Sequence, residues 1–170
     1  EDETAYAVID FYDDILANLK DYRDQSPEAS VIEIVRNPDI SATTKLEQLQ
    51  IRIGQQRFRR EVLEFFDNKC AVTGSSLLIR ASHIKPWRVA SDSERLNPAN
   101  GLALSPVYDA AFDLGLISFR PDGQILVSQK LNNDAVALGI SGMERIDSLT
   151  DEHHAFLDWH RKNIFATANG

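Results

Sequence analysis

The sequence is poor in cysteine and has no long apolar run. Cys70 is the only cysteine among 170 residues, which excludes an internal disulfide framework and a zinc site built from several thiolates. No stretch of about 18 or more apolar residues occurs, and the N-terminal stretch lacks the basic and apolar regions of a secretory signal. We therefore expect a cytoplasmic protein with no membrane span.

Positive charge is also scarce, since 18 basic side chains face 26 acidic ones for a net charge of −8. Nucleic-acid binding usually needs the opposite balance. The charge is unevenly distributed, however: residues 1–50 carry 4 basic and 12 acidic side chains, residues 51–90 carry 8 and 3, and residues 91–170 carry 6 and 11. Because salt screens fields beyond roughly 8 Å, the basic middle stretch can still bind phosphates. The alternative is that RFRREVLEFF is an amphipathic helix whose arginines only face water.

The chain has the composition of a folded domain, with 43% hydrophobic and 26% charged residues. We expect an N-terminal helical accessory segment at residues 1–50, including an amphipathic helix at residues 3–23, and a second domain at residues 51–170. VIEIVR fits a short strand or a helical turn. A phenylalanine-rich helix should end near Asn68, and a C-terminal helix should have Thr150 or Asp151 as its cap.

The middle of the chain predicts two strands followed by a short helix. LLIRASHI and GLALS are the strands, and LISF and QILVS form a later hairpin across the turn RPDG. Ser105 and Pro106 open the helix, and Gly115 ends it. Asp109 and Asp113 then lie four residues apart on one helix face.

Several motifs give a specific resemblance. CAVTG, RASHIKPW, ERLNPANGLALSP, DAAFDLG and the LISF hairpin are similar to HNH endonucleases of the restriction-associated kind. The likeness is dense over about residues 55–130 and includes the tail LDWHRKNIF, whereas residues 1–50 lie outside it. It implies an α+β fold with a ββα-metal core, also called the HNH or His-Me finger, with an extra β-hairpin and flanking N- and C-terminal helices.

The resemblance also implies site residues and a cofactor. His83 becomes the general base, and Asp109 with Asp113 become the ligands of one divalent ion. Asn100 is the loop residue that completes the catalytic site. Its amide oxygen can accept a hydrogen bond from the other imidazole nitrogen or from the loop backbone, and so fix the orientation of the ring. Ser82 stands where many members have a ligand, and Asp109 stands where His or Asn is usual. An oxygen-only ligand set suits Mg²⁺ or Mn²⁺ better than softer metals.

The expected chemistry is phosphodiester hydrolysis in DNA, plausible for restriction or another anti-phage defence system. Neutral imidazole can take a proton from water at cellular pH. Four basic residues flank the base and are candidates for phosphate contacts: Arg80, Lys85, Arg88 and Arg95. Pro86 and Trp87 are expected in the core.

Other interpretations remain open. A histidine at a strand end is often structural, Asn100 before Gly101 fits an ordinary turn, and His153, His154 and His160 are expected to be packing or surface residues. The protein could be a DNA-binding module of the same fold with weak or no cleavage. The acidic residues 1–50 could mediate a homodimer or fusion to a further domain. The chain begins at Glu1 rather than Met, as a fragment of a longer protein would.

Overall fold

A computed structural model of the protein describes residues 27–131 and 134–165. The predicted helix at residues 3–23 lies outside these ranges. The chain divides between Gln56 and Arg57 into two compact units, which are described separately. The domain boundary expected between residues 50 and 51 stays a prediction. Across the described ranges, none of the helices is both long and apolar enough to cross a bilayer.

The first unit contains helix α1, Pro27–Arg36, and the beginning of helix α2, Ala42–Phe65. VIEIVR belongs to α1, so the helical alternative is the one observed. Before α2, the Ser41 hydroxyl accepts a hydrogen bond from the Thr44 N–H at 3.2 Å, which satisfies one of the free donors of a helix start. The Lys45 ammonium donates to the Val35 carbonyl near the end of α1 at 2.8 Å.

The second unit begins with the C-terminal half of α2. Phe58, Val62 and Phe66 follow one another at helical spacing and are buried, while the arginines between and before them face solvent. The sequence RFRREVLEFF therefore forms the amphipathic surface that its pattern predicts. The helix ends at Phe65, and Asp67 and Asn68 follow with positive φ angles of 53° and 55°, close to the predicted end.

Two short strands and a helix follow in the predicted order. Strand β1, Arg80–His83, pairs antiparallel with strand β2, Gly101–Leu104, and the register aligns His83 with Gly101. The intervening loop contains helix α3, Asp92–Arg95, and a 3₁₀ turn at Pro98–Asn100. Helix α4 spans Pro106–Asp113. Ser105 is its N-cap residue but makes no side-chain cap bond.

A hairpin and a terminal helix complete the second unit. Strands β3, Ile117–Phe119, and β4, Ile125–Val127, are antiparallel. Gly123, with φ 83°, donates its N–H to the Arg120 carbonyl at 2.9 Å in the predicted turn. The short helix α5, Asp134–Ala137, precedes helix α6, Asp151–His160, and a π-helical turn at Arg161–Phe165.

The core of this unit lies between α2, the strands, α4 and α6. Its most buried apolar side chains include Phe112, Phe119, Leu102, Ile117 and Leu157. Of the two expected caps, Thr150 is the one observed, because its hydroxyl accepts a hydrogen bond from the His153 N–H at the start of α6. The mixture of helices with two small antiparallel sheets is the predicted α+β class.

Candidate active site

A pocket of about 440 Å³ lies at the end of β1. Ser82 and His83 enter it from β1, Trp87 and Arg88 from the loop that follows, and Asp109 with Asp113 from α4. Sequence separation between these groups is up to 31 positions, so the fold rather than local spacing brings them together. The expected base and both expected carboxylates thus line one pocket.

His83 is held on several sides. Its ring stacks on Phe58 with centroids 3.9 Å apart, and it meets the Trp87 ring edge-to-face at 5.7 Å. Its Nε2 lies 3.0 Å from the Arg95 carbonyl oxygen. A carbonyl can only accept, so Nε2 carries the proton of the neutral ring and Nδ1 keeps its lone pair. Burial lowers the pKa of His83, and the Arg95 hydrogen bond partly offsets this effect.

Gly101 leaves the space that the Phe58 ring needs to stack on His83. A Cβ at this position would lie 2.8 Å from Phe58 Cζ and 2.4 Å from Val62 Cγ2, far inside ordinary carbon–carbon contact. Its φ of −135° is ordinary extended backbone. The glycine is therefore required for close approach of α2 to β2, and not for an unusual backbone conformation.

Asn100 is fully buried and its side chain binds the loop between the strands. Its Oδ1 accepts from the Lys85 N–H at 2.7 Å, and its Nδ2 donates to the carbonyls of Lys85 and Glu94 at 3.1 and 3.0 Å. Of the two partners expected from the sequence, imidazole or loop backbone, the structure has the backbone. Because Glu94 precedes Arg95, Asn100 fixes the segment whose carbonyl binds His83.

Asp109 and Asp113 differ in their surroundings. Asp109 is 8% exposed and accepts a hydrogen bond from Arg80 Nη1 at 3.0 Å. Asp113 is exposed at the mouth of the pocket. Partial desolvation by the pocket wall, and then the charge of Asp109, raise the pKa of the Asp113 carboxyl, while Arg80 acts in the opposite direction. The two carboxylates thus repel each other, which is the condition that favours a shared cation.

The four basic residues near His83 differ in how far their side chains are already bonded within the protein. Lys85 Nζ binds both carboxylate oxygens of Glu94 at 2.7 Å, and this bond helps to hold the pKa of Glu94 at about 2. Arg95 donates to the Trp87 carbonyl and to Asp92.

Arg80 pairs with Asp109, although its side chain is 62% exposed. Arg88 is exposed, lines the pocket and makes no ion pair within residues 27–131 and 134–165. Of these four residues, Arg88 is therefore the one whose side chain makes no ion pair in the described part of the chain. The phosphate contacts expected of Lys85 and Arg95 would compete with the bonds that they already make.

The residues of the pocket fit a hydrated divalent cation. In the part of the chain that the structure describes, no cluster of three or more His, Cys, Asp or Glu side chains is arranged for a metal. Mg²⁺ does not need one, because it commonly binds through one or two carboxylates and keeps several waters. Ser82 adds a hydroxyl oxygen that is buried without a hydrogen-bond partner in the same pocket. Two carboxylates and this hydroxyl form an oxygen donor set.

The tail histidines have structural surroundings. His160 Nε2 lies 3.1 Å from the Phe112 carbonyl and Nδ1 lies 3.0 Å from the Ser118 hydroxyl, so the neutral ring donates through Nε2 and accepts through Nδ1. Burial, chiefly, lowers its pKa to about 4. His153 is buried in the cap of α6. These two positions agree with the packing interpretation.

Sequence reasoning missed four contributors to the site. Phe58 belongs to RFRREVLEFF, whose pattern predicts only an amphipathic helix, whereas its ring stacks on His83. Pro86 and Trp87 were expected in the core but both line the pocket, so that expectation was wrong. The Arg95 carbonyl that binds His83 had no sequence signal, because any residue type supplies such an oxygen.

Comparison with known proteins adds a family match for the central part of the chain. Residues 70–120 match a family model described as HNH endonuclease. A search of curated proteins gave no significant match. The matched residues include both strands, the intervening loop and α4, which together supply most of the pocket. Over residues 70–120, this chain is therefore similar to the HNH endonuclease family.

Proposed function

We propose that this protein is a metal-dependent DNA endonuclease, with His83 as general base and one divalent ion, Mg²⁺ or Mn²⁺, bound by Asp109 and Asp113. HNH domains are associated with nuclease activity on DNA and generally use a divalent metal. The observation that carries the proposal is that His83, with its Nε2 already bonded, shares one pocket with two carboxylates of α4. The ββα-metal assignment of β1, β2 and α4 is part of the same proposal.

His83 would remove a proton from the attacking water at Nδ1. Its Nε2 hydrogen bond to the Arg95 carbonyl strengthens as the ring becomes positively charged, and the Phe58 stack limits rotation of the ring. Because burial lowers the pKa of His83, the ring is neutral and able to accept a proton at cellular pH. The imidazolium then returns this proton to solvent.

The remaining pocket residues would bind and orient the phosphodiester. A divalent ion at Asp109 and Asp113 would supply Lewis-acid stabilisation of charge on a phosphate oxygen and the departing 3′ oxygen. Arg88, exposed at the pocket, is the basic residue best able to contact a neighbouring phosphate. Asn100 acts indirectly, as a positioning residue for the loop that binds His83.

One observation favours the second candidate function, a DNA-binding module with weak or no cleavage. Arg80 already occupies Oδ2 of Asp109 at 3.0 Å, and a metal ion would compete with this guanidinium. Serine at position 82 also supplies a weaker ligand than a carboxylate or imidazole. Under this alternative, the basic side chains would bind DNA without an effective metal site.

Plasmid nicking distinguishes the two candidates. The parent protein should nick plasmid DNA with Mg²⁺ or Mn²⁺ and stop when EDTA is added, and His83→Ala should reduce the rate by at least about a hundredfold. His154→Ala is a matched control, because it removes an imidazole that is outside the pocket. Retained nicking in His83→Ala would remove the proposed base. Metal-independent DNA binding without nicking by the parent would favour the binding module.

The proposal includes a cellular role and a role for residues 1–50. Resemblance to restriction-associated members suggests a cytoplasmic role in restriction or another anti-phage defence, which phage plating efficiency on cells expressing the parent or His83→Ala would test. We assign residues 1–50 to homodimer formation or to attachment of a further domain. A mass in solution that is unchanged after deletion of residues 1–50 would contradict the homodimer.

A further inference from the structure

The loop before β1 exposes two adjacent leucines. Leu77 is 74% exposed and Leu78 is 79% exposed. Leu78 also has a φ of +56°, in the left-handed region, where a bulky side chain is an outlier. Single exposed apolar residues are ordinary, but two neighbours with a strained backbone need a reason. Strained residues persist at sites where a ligand is gripped.

The loop that presents these leucines is held by its own hydrogen bonds. The Ser75 hydroxyl accepts from the Leu77 N–H at 3.2 Å, and the Ser75 carbonyl accepts from the Cys70 N–H at 2.8 Å. Arg59 Nη2 donates to the Ile79 carbonyl at 3.2 Å. The backbone is therefore fixed while the leucine side chains remain in solvent, which is the arrangement of a preorganised contact surface.

Positive charge flanks this surface and connects it to the pocket. Arg59 reaches the residue after Leu78, and Arg80 follows one position later and contacts Asp109 in the pocket. Each guanidinium has five N–H donors, and the described contacts use one donor in each. Both side chains can therefore also contact phosphates. An apolar tip beside two cations is complementary to a DNA base step beside its phosphates.

We propose that Leu77 and Leu78 form a wedge that inserts at a base step of the DNA and bends it beside the cleavage site. Inserted leucines unstack a base step and kink the duplex. The hydrogen bonds of the loop hold the wedge in place before DNA arrives, and they offset the strain at Leu78. His83 lies five positions after Leu78, which is at most about 17 Å of extended chain. With a rise of about 3.4 Å per base pair, the disturbed step lies within about five base pairs of the scissile phosphate.

This inference rests on the proposed function for its DNA partner, so its test measures binding and bending without cleavage. Full-length protein in EDTA is titrated onto a 30-base-pair duplex, with end-to-end energy transfer as the readout of bending and 2-aminopurine scanned along one strand as the readout of unstacking. The parent should shorten the end-to-end distance and raise 2-aminopurine fluorescence at one or two positions.

Variants then assign the effect to the leucines. Leu77→Ser/Leu78→Ser should lose both signals and weaken DNA binding about tenfold or more, with an unchanged melting temperature. Val136→Ser/Met143→Ser, which alters two residues that are 81% and 80% exposed elsewhere, should behave like the parent. Leu78→Gly accepts the left-handed backbone without strain, so it should fold normally and still lose the unstacking signal.

The outcomes separate this inference from the proposed function. Bending and unstacking that persist in Leu77→Ser/Leu78→Ser would overturn the wedge, as would a parent that cuts DNA without bending it. A parent that bends DNA through these leucines but fails to nick plasmid would support the wedge and refute the nuclease. A parent that does not bind DNA would overturn both.

Discussion

Replacing Asn100 by alanine should destabilise the second unit strongly. Asn100 is fully buried, and its side chain makes three hydrogen bonds to the backbone of the loop between β1 and β2. Alanine removes all three and leaves the Lys85 N–H, the Lys85 carbonyl and the Glu94 carbonyl without that partner. At about 1 to 1.5 kcal/mol for each bond, the loss is roughly 3 to 5 kcal/mol, a large part of the usual stability of a domain.

The assay compares thermal unfolding with DNA nicking. A loss of this size should lower the melting temperature by more than about 10 °C. Nicking measured well below that temperature should also fall, because the loop no longer fixes the Arg95 carbonyl that bonds His83 Nε2. Asn97→Ala is the matched control. It loses a cap bond to the Ala99 N–H and an exposed bond to Glu152, so its cost should be about 1 kcal/mol.

Two results would refute this reasoning. If Asn100→Ala melted within about 2 °C of the parent, the three bonds would not be stabilising the loop. If it melted much lower but nicked at the parental rate at low temperature, the loop would not position His83. Asn100 would then be a structural residue with no connection to the base.

Three further predictions concern the same site. Gly101→Ala should lower the free energy of unfolding by about 1 to 3 kcal/mol. It should also reduce the nicking rate, because the new Cβ would lie 2.8 Å from the Phe58 ring that stacks on His83; unchanged stability and activity would contradict the packing argument. Because burial lowers the pKa of His83, the fraction of neutral His83, and with it the nicking rate, should fall only at a pH below about 6.5, the usual pKa of histidine. A nicking rate that still rose steeply from pH 7 to 8 would argue against His83 as the base. Arg80→Gln should tighten Mn²⁺ binding to the free protein about threefold to tenfold by removing a competing, largely exposed cation, as measured by electron paramagnetic resonance, with Arg88→Gln as an unchanged control.

The local elements of the site could be predicted from sequence because short-range signals specify them. Alternation and turn residues indicated β1, β2 and the hairpin, Ser105 with Pro106 marked the start of α4, and a left-handed Gly115 with φ 67° follows its end. These features depend on backbone geometry and capping within a few residues. The position of His83 at the end of β1 followed from the same pattern.

The contacts that tune the site are long-range, and the sequence carried no comparable signal for them. The partner of Asp109 is 29 residues away at Arg80, and the stack of Phe58 on His83 joins α2 to β1. The charge pattern suggested phosphate binding by Lys85, whereas its ammonium binds Glu94. Charge alone does not distinguish an ion pair within the fold from a group available to a ligand, because the difference depends on tertiary distance.

Crystals soaked in Mn²⁺ and measured for anomalous scattering would test the central claim most directly. The account predicts one peak in the pocket, bonded to carboxylate oxygens of Asp109 and Asp113 and lying on the side of the pocket that faces His83 Nδ1. Arg80 should then have moved away from Asp109. A pocket without a peak at a Mn²⁺ concentration that supports nicking, or a peak bonded only to residues elsewhere, would contradict the account.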